Sequence, residues 1–172
     1  VRRRRRVSAD FSIVVPAYNE APRRPATLTR LREALAAVPG RTGELLVTDN
    51  TSTDTTAAVA RAHGATVVFE PHRQIARSRN AGARAATGRY LFFVDAEVLV
   101  PPALIPQCLD WLESGRVCGG GTCVSVAPDA GARLRRMAGL WNWVARTAQW
   151  ACGAYLFCRR DAFTDVGGFD ER

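Results

Sequence analysis

The sequence contains no lysine, and its basic residues are 24 arginines, set against 16 acidic residues for a formal net charge of +8. Five of the arginines form a single run, Arg2–Arg6. The others are spread along the chain without a zinc-finger, RNA-recognition or basic-zipper pattern. We therefore expect no nucleic-acid partner, although the net charge suits some other anionic ligand.

Long apolar runs are also missing. The longest strongly apolar stretch without a charge, Thr147–Cys158, has twelve residues, whereas a membrane-spanning helix needs roughly 20. The residues after Arg2–Arg6 do not form a signal-peptide core followed by a small-residue cleavage site. We expect a cytoplasmic protein, either free or attached to the inner face of the membrane.

Cysteine and histidine are too few and too irregularly spaced for a structural zinc site. There are five cysteines with no C-x-x-C pair, and two histidines. An odd number of cysteines in a chain without an export signal predicts buried, reduced thiols.

The 172 residues, 47% of them hydrophobic, suffice for one domain with one core. We expect a basic, disordered segment over residues 1–10 and a single domain over 11–172. In the first part of the domain, β-rich apolar runs at 11–15, 45–47, 66–69 and 90–94 alternate with helical patterns. Those patterns cover 25–38, a stretch from an N-cap at Ser52 or Thr53 to Gly64, and 74–87. This alternation predicts an α/β fold with a doubly wound, mainly parallel sheet.

Beyond residue 98 the pattern predicts a helix from Pro101 through Leu112, a strand over 117–126, a long helix over 133–150 and a short strand over 155–158. One stripe of the long helix is apolar and is predicted to pack on the sheet: Leu134, Met137, Trp141, Val144 and Ala148. The opposite face combines arginine and tryptophan, which predicts either peripheral membrane contact or cover by further polypeptide: Arg135, Arg136, Trp143, Arg146 and Trp150.

Polar and acidic residues follow three of the predicted strands, where ligands bind in open α/β sheets. They are Pro16, Ala17, Tyr18, Asn19 and Glu20 after the first strand, residues 48–54 after the second, and Asp95, Ala96 and Glu97 after the fourth. Two carboxylates spaced i and i+2, such as Asp95 and Glu97, can bind a hard cation, Mg²⁺ or Mn²⁺. The first loop has no G-x-G-x-x-G and the chain has no Walker A motif, so NAD and P-loop nucleotide sites are disfavoured.

Five segments resemble, in order and spacing, the inverting family 2 glycosyltransferases with the nucleotide-sugar-binding GT-A fold. They are the opening strand and loop at 13–20, the D-[DN]-x-S-x-D loop at 49–54, the helix containing Arg77, Arg79 and Asn80, the D-x-D position at 95–97, and the GGFDE segment at 167–171.

This resemblance implies a transferase that moves a sugar from a nucleotide-diphosphate donor, UDP-linked, to a sugar or lipid-linked acceptor in cell-envelope polysaccharide synthesis. Tyr18 would lie against the nucleobase and Asp49 would accept the N3–H of uracil. Asp95 and Glu97 would hold the metal near the ribose or diphosphate, and Arg77 or Arg79 would contact phosphate or sugar. The remaining donor-binding positions are Pro16, Ala17, Glu20 and Ala96.

Two departures from the family pattern raise an alternative. The second acid of the D-x-D motif is Glu97 instead of aspartate. The family's general base normally stands in an E-D pair after the GGFDE segment, so Asp170 and Glu171 are the last acids that could serve here. The expectation is a domain truncated at its C-terminus. The alternative function is a degenerate, non-catalytic nucleotide-binding module that needs a partner or the missing part.

Simpler roles stay open for the same residues. Asp49, Asn50, Ser52 and Asp54 also suit a turn and a helix N-cap, and Tyr18 could only pack. Arginines on a surface helix are usually solvated. The Gly119–Gly121 run is more typical of close backbone approach than of a phosphate site.

Overall fold

The computed structural model describes residues 8–21, 24–123, 126, 131–148, 151 and 153–172. Its elements, in chain order, are β1 (Phe11–Ala17), α1 (Arg24–Ala36), β2 (Gly43–Asp49), α2 (Thr56–Ala62), β3 (Thr66–Phe69), α3 (Ile75–Ala85), β4 (Tyr90–Val94), α4 (Leu104–Glu113), β5 (Gly119–Gly121), α5 (Ala132–Thr147), β6 (Tyr155–Arg159) and α6 (Arg160–Asp165).

The strands form one sheet in the order β3-β2-β1-β4-β6-β5. The first four strands run parallel to one another, β6 is antiparallel to β4, and β5 is antiparallel to β6. The predicted α/β class is confirmed, and the bounds predicted for the third and fourth strands agree with β3 and β4.

The central strand β1 explains why the first apolar run is nearly continuous. All seven of its residues are buried; Phe11, Ile13 and Val15 contact one hydrophobic cluster, and Val14 contacts the other. A strand covered on both faces needs apolar side chains on both. The carboxyl end of β1 therefore opens at the middle of one sheet edge.

Helix α3 packs tightly against β1, and Gly82 makes this possible. A Cβ atom at Gly82 would lie 2.3 Å from Cγ1 of Val14, so any larger residue would push the helix off the strand. The first turn of α3 follows β3 and therefore lies at the edge where the parallel strands end.

Helix α2 begins later than the sequence pattern predicts. Its N-cap is Thr55, whose side chain makes no capping hydrogen bond, so the prediction of Ser52 or Thr53 as cap is wrong. The backbone N–H of Ser52 donates to Asp49 and that of Thr53 donates to Asn19. These polar side chains stabilise a loop instead of starting a helix.

The prediction that one stripe of α5 packs on the sheet is also wrong. None of the helix's residues is buried, and Leu134, Met137 and Trp141 are exposed to solvent in the described part of the chain. Trp150 lies outside the described residues. No helix among the described residues combines the length and the apolar character needed to cross a bilayer.

The strand predicted over 117–126 is shorter, covering only Gly119–Gly121. A Cβ atom at Gly119 would lie 2.8 Å from the Phe157 carbonyl oxygen, and one at Gly121 would lie 2.7 Å from the Ala151 Cβ. The glycine run therefore allows the edge strand to approach its neighbours closely.

The cysteines are not uniformly buried, contrary to expectation. Cys108 is buried, and its burial raises the pKa of the thiol to about 11, whereas Cys118 and Cys123 are exposed. Cys152 lies outside the described residues.

Of the N-terminal segment predicted over residues 1–10, residues 1–7 also lie outside the described residues. Within the rest of it, the Asp10 carboxylate accepts hydrogen bonds from the Thr42 backbone N–H and hydroxyl at 2.7 and 2.9 Å.

Candidate active site

The loops after β1 and β2 are bonded to each other at the carboxyl edge of the sheet. The Asn50 backbone N–H donates to the Ala17 carbonyl at 2.8 Å. The Asn19 backbone N–H donates to the Ser52 hydroxyl at 3.1 Å, and the Thr53 N–H donates back to the Asn19 side chain at 2.8 Å. Their polar residues thus fix one rim of a site.

The same two loops contain the only non-glycine residues of the described chain with positive φ angles. Asn19 has a φ of 51° and Thr51 a φ of 62°. Asparagine tolerates this region, but a β-branched residue such as threonine is strained there. Strained backbone held by surrounding bonds is typical of ligand-binding sites.

A cavity of about 440 Å³ opens at this edge, a volume within the usual range for small-molecule sites. It lies between the loops after the parallel strands and the first turn of α3. Its lining residues are Pro16, Ala17, Tyr18, Glu20, Asn50, Arg73, Gln74, Ile75, Ser78, Asp95, Ala96 and Glu97. The structure therefore brings together seven of the residues predicted for the site: Pro16, Ala17, Tyr18, Glu20, Asp95, Ala96 and Glu97.

One wall of the cavity is an aromatic ring with a guanidinium group above it. The Cζ atom of Arg73 lies 4.3 Å from the centroid of the Tyr18 ring, a cation–π geometry. Tyr18 is 40% exposed, so its ring is not part of the core, and the proposal that it only packs loses support.

Arg73 and Asn50 also line the cavity. Asn50 belongs to the loop at 48–54 that the sequence places at the ligand-binding edge, whereas Arg73 was not predicted as a site residue. The Asn50 amide donates to the carbonyls of Glu70 and His72, and its oxygen accepts from the Gln74 backbone N–H at 3.1 Å. Asn50 thereby fixes the loop between β3 and α3 that carries Arg73. The candidate loop residues were predicted after β1, β2 and β4 only. The same rule applied to the loop after β3 would have included Arg73.

Two acids of these loops have lowered pKa values because they accept hydrogen bonds. The Thr56 hydroxyl, followed by its backbone N–H, holds the pKa of Asp54 below its ordinary value. The His72 backbone N–H, at 3.0 Å from Oε1, does the same for Glu70. Both carboxylates are therefore ionised at neutral pH and hold the loops in place.

Asp49 ends β2 and is not one of the residues that line the cavity. It is 8% exposed, and its Oδ1 accepts the Ser52 backbone N–H at 3.1 Å. In the sheet it is paired with Ala17, which does line the cavity.

The two arginines predicted to contact the donor make other contacts. Arg79 is largely buried, and its Nη2 donates to Asp95 Oδ1 and to the Gly153 carbonyl, both at 2.7 Å. Arg77 Nε donates to the Gln74 side chain at 3.0 Å and lies 3.6 Å from Glu171. Neither is among the residues that line the cavity.

The two acids predicted as candidate bases lie elsewhere. Glu171 lines a second cavity of about 360 Å³ between α3 and α6, and its Oε1 accepts from the Asn80 amide at 2.8 Å. Asp170 is exposed and bonded to Arg172, whose side chain lowers the pKa of that carboxyl. The structure does not bring them to the cavity that holds Asp95.

The charges that line the first cavity suit a divalent cation. Its Asp, Glu and Arg side chains are three carboxylates, Glu20, Asp95 and Glu97, and one guanidinium, Arg73. Within the described ranges, no three His, Cys, Asp or Glu side chains cluster as a complete metal site. Mg²⁺-type ions are usually held by one or two carboxylates together with substrate phosphates. Asp95 and Glu97 fit that kind of incomplete site.

Comparisons with known proteins agree with this geometry. The family model for glycosyl transferase family 2 matches residues 12–167. An uncharacterised glycosyltransferase of Mycobacterium tuberculosis is 32% identical over 177 residues, covering 94% of this chain and 72% of that protein.

Two solved structures resemble the fold. A mannosyltransferase from Pyrobaculum calidifontis, in complex with GDP-Man and Mn²⁺, has a TM-score of 0.74 at 25% identity, covering 94% of this chain and 48% of that one. Glucosyl-3-phosphoglycerate synthase from Mycobacterium tuberculosis, in complex with Mn²⁺, UDP-glucose and phosphoglyceric acid, has a TM-score of 0.64 at 22% identity, covering 91% and 59%. The chain thus spans about half to three fifths of these two proteins.

The family match covers most of the chain, the parallel strands place the loops after β1, β2 and β4 at one edge of the sheet, and the structural neighbours are GT-A glycosyltransferases. The chain belongs to glycosyl transferase family 2, a family of transferase enzymes, and has the GT-A fold.

Proposed function

We propose that the chain binds a UDP-linked sugar and transfers the sugar, with inversion at the anomeric carbon, to an acceptor hydroxyl on a sugar or a lipid-linked molecule. The observation that carries this proposal is the cavity in which Tyr18 and Arg73 stand together with the carboxylates Asp95 and Glu97. A flat aromatic group and a cation-binding pair are the two features that a nucleoside diphosphate needs.

The uracil would stack on the Tyr18 ring in place of the Arg73 guanidinium, since the 4.3 Å between the Arg73 Cζ and the ring centroid leaves no room for a base between them. Asp49 is proposed to accept the N3–H of the base. This position is supported by its pairing with Ala17 across β1 and β2, and it would favour uracil over cytosine, whose N3 is an acceptor.

Asp95 and Glu97 would hold Mg²⁺ or Mn²⁺ against the diphosphate. When bound, the ion stabilises the negative charge that develops on the departing nucleoside diphosphate. Without it, three carboxylates would face the phosphates across the cavity. Arg79 keeps the Asp95 carboxylate oriented through its hydrogen bond to Oδ1.

A second candidate function is donor binding without transfer. It is favoured by the positions of Asp170 and Glu171, which line no part of the donor cavity, and by the Glu171 contacts to Asn80 and Arg77. On this account another part of a longer protein, or a partner, supplies the base that deprotonates the acceptor.

Calorimetric titration with UDP, CDP and GDP in the presence of Mn²⁺ tests donor recognition. We expect UDP to bind at least about tenfold more tightly than CDP, since CDP places an acceptor against the Asp49 carboxylate. Asp49→Asn should remove most of this preference, and Asp165→Asn, an exposed acid at the end of α6, should keep it. Equal affinity for the three nucleotides would contradict the proposal.

UDP release from UDP-linked sugars, measured with a panel of acceptors, separates the two candidates. Repeated turnover by the isolated chain would exclude binding without transfer. Tight UDP binding without turnover by any acceptor would favour it.

A further inference from the structure

Helix α5 has an apolar face that nothing in the described part of the chain covers. Leu134, Met137 and Trp141 are 50%, 59% and 44% exposed. On a helical wheel at 100° per residue they fall within about 60° of one another. Soluble proteins seldom leave so many large apolar side chains together on one face of a helix.

The other face of α5 is strongly basic. The helix Ala132–Thr147 carries four arginines and no acidic residue. Arg135, Arg136 and Arg146 lie about 125–150° from the centre of the apolar face on the same wheel, whereas Arg133 borders that face, about 40° from Met137. An amphipathic helix with arginine on its polar face and leucine and tryptophan on the other is the pattern of helices that lie in a bilayer interface.

We propose that α5 docks this protein on an anionic lipid membrane, with Leu134, Met137 and Trp141 inserted at the headgroup boundary. The charge of the helix selects this occupant: its arginines attract an anionic lipid surface. The proposal does not depend on which nucleotide the protein binds.

The geometry assigns the membrane contact to the face on which Trp141 lies. The sequence pattern had assigned it to the face of Trp143, which projects about 160° away from Trp141 and is 66% exposed. On the inferred orientation Trp143 stays on the water side together with Arg135, Arg136 and Arg146, and Arg133 lies at the edge of the inserted face.

Docking through α5 would bring the donor cavity close to the bilayer. Gly153, whose carbonyl accepts a hydrogen bond from Arg79, follows Thr147 by six residues. Six residues span at most about 20 Å. The end of α5 therefore lies within that distance of the Arg79–Asp95 pair, close enough for an acceptor presented at a membrane surface.

Co-sedimentation of the full chain with phosphatidylcholine vesicles, with and without phosphatidylglycerol, tests the proposal. We expect pelleting only with the anionic vesicles, and less of it at high salt. Trp141→Ala should weaken vesicle binding about tenfold, from the apolar area it removes. Trp143→Ala, the matched control on the same helix, should change it less than twofold. Both variants keep the basic run Arg2–Arg6. A difference in vesicle binding between them is therefore caused by α5.

Two further measurements keep the result interpretable. The Arg135→Gln/Arg136→Gln double variant should bind at least about fivefold more weakly, whereas Arg61→Gln/Arg116→Gln, which removes the same charge elsewhere, should not. Unchanged urea unfolding of each variant shows that the fold persists.

Three results would overturn the proposal. One is the absence of binding to anionic vesicles, and another is equal binding of the Trp141→Ala and Trp143→Ala variants. The third is a dimer in sedimentation velocity that Trp141→Ala dissociates, which would show that a second copy of the chain covers this face.

Discussion

Arg79 connects three separate parts of the site through one side chain. Its guanidinium donates to Asp95 and to the Gly153 carbonyl and lies over the ring of Phe169, 5.3 Å from the centroid. Only about 10% of the side chain is exposed. We regard Arg79 as a positioning residue for Asp95, in place of the direct phosphate or sugar contact that the family resemblance implies.

We expect Arg79→Ala to reduce the Mn²⁺-dependent affinity for UDP about tenfold, because Asp95 loses the bond that orients its carboxylate. UDP binding without metal should change much less. Arg79→Lys, which keeps the charge, should recover part of the effect, and Arg61→Ala on the distant helix α2 serves as the control. Titrations with and without Mn²⁺ measure both quantities. A uniform loss under both conditions would indicate a purely structural role.

Gly167 and Gly168 form a natural pair for testing how the C-terminal segment is held. Both have positive φ angles, 81° and 85°. A Cβ atom at Gly167 would meet nothing within 4 Å, whereas one at Gly168 would lie 2.7 Å from the Asn80 Oδ1. That oxygen accepts the Phe169 backbone N–H at 2.9 Å.

Gly167→Ala should lower the free energy of unfolding by about 1 kcal/mol, the usual penalty for an alanine with positive φ. Gly168→Ala should cost roughly 1–2 kcal/mol more, since it also disrupts the Asn80 hydrogen bonds. Urea unfolding measures both values. Equal losses for the two variants would mean that the Asn80 contact contributes nothing to stability.

At the scale of the secondary-structure elements, Glu44 joins β2 to β1 and to the turn before β4. Its carboxylate accepts hydrogen bonds from the Ser12 hydroxyl at 2.6 Å, the Thr87 backbone N–H and hydroxyl, and the Gly88 N–H. Burial alone would raise the pKa of Glu44, but these hydrogen bonds outweigh it and hold the pKa below its ordinary value of 4.5.

A lowered pKa in the folded state means that ionised Glu44 stabilises the fold above about pH 4.5, and that this contribution is lost as the pH falls through the folded value. We expect Glu44→Gln to destabilise the protein by about 1 kcal/mol at pH 7. The difference from the unsubstituted protein should shrink in acid. Urea unfolding between pH 3.5 and pH 7 checks this, with Glu33→Gln on the exposed face of α1 as control. A difference that does not vary with pH would contradict the assignment.

The sequence pattern predicted the parallel strands best because their burial on both faces leaves a clear apolar signal. The bounds of β3 and β4 were predicted without error. The start of α2 was predicted wrongly. Polar residues at 49–54 accept hydrogen bonds from backbone N–H groups of a loop, and in the sequence such residues look the same as a helix N-cap. The periodicity of α5 correctly indicated an apolar face but carried no information about what covers it.

For the candidate site, the rule that ligands bind at the ends of parallel strands predicted Tyr18, Glu20, Asp95 and Glu97 as neighbours. The roles of the arginines could not be predicted. The Arg79 side chain is oriented by hydrogen bonds to Asp95, 16 residues away in the sequence, and to Gly153, 74 residues away. Such contacts depend on the packing of α3 against the sheet, which no local pattern encodes.

At the scale of the whole molecule, the net positive charge and the acidic cavity at the sheet edge are separate features. The chain carries a formal charge of +8, whereas three carboxylates and one guanidinium line the cavity. A diphosphate is therefore attracted to the molecule as a whole but repelled by the groups nearest to its binding position. We propose that a divalent cation enters together with the nucleotide and offsets this repulsion.

The measurement that tests this account most directly is calorimetric titration of UDP with and without Mn²⁺, using the unsubstituted chain, Asp95→Asn and Asp165→Asn. The account predicts that Mn²⁺ tightens UDP binding by at least about tenfold and that Mn²⁺ alone binds far more weakly. Asp95→Asn should lose the metal-dependent part, and Asp165→Asn should keep it. Equal UDP affinity with and without Mn²⁺, or a metal effect unchanged by Asp95→Asn, would contradict the claim that the cavity at the ends of the parallel strands binds the donor through a metal ion.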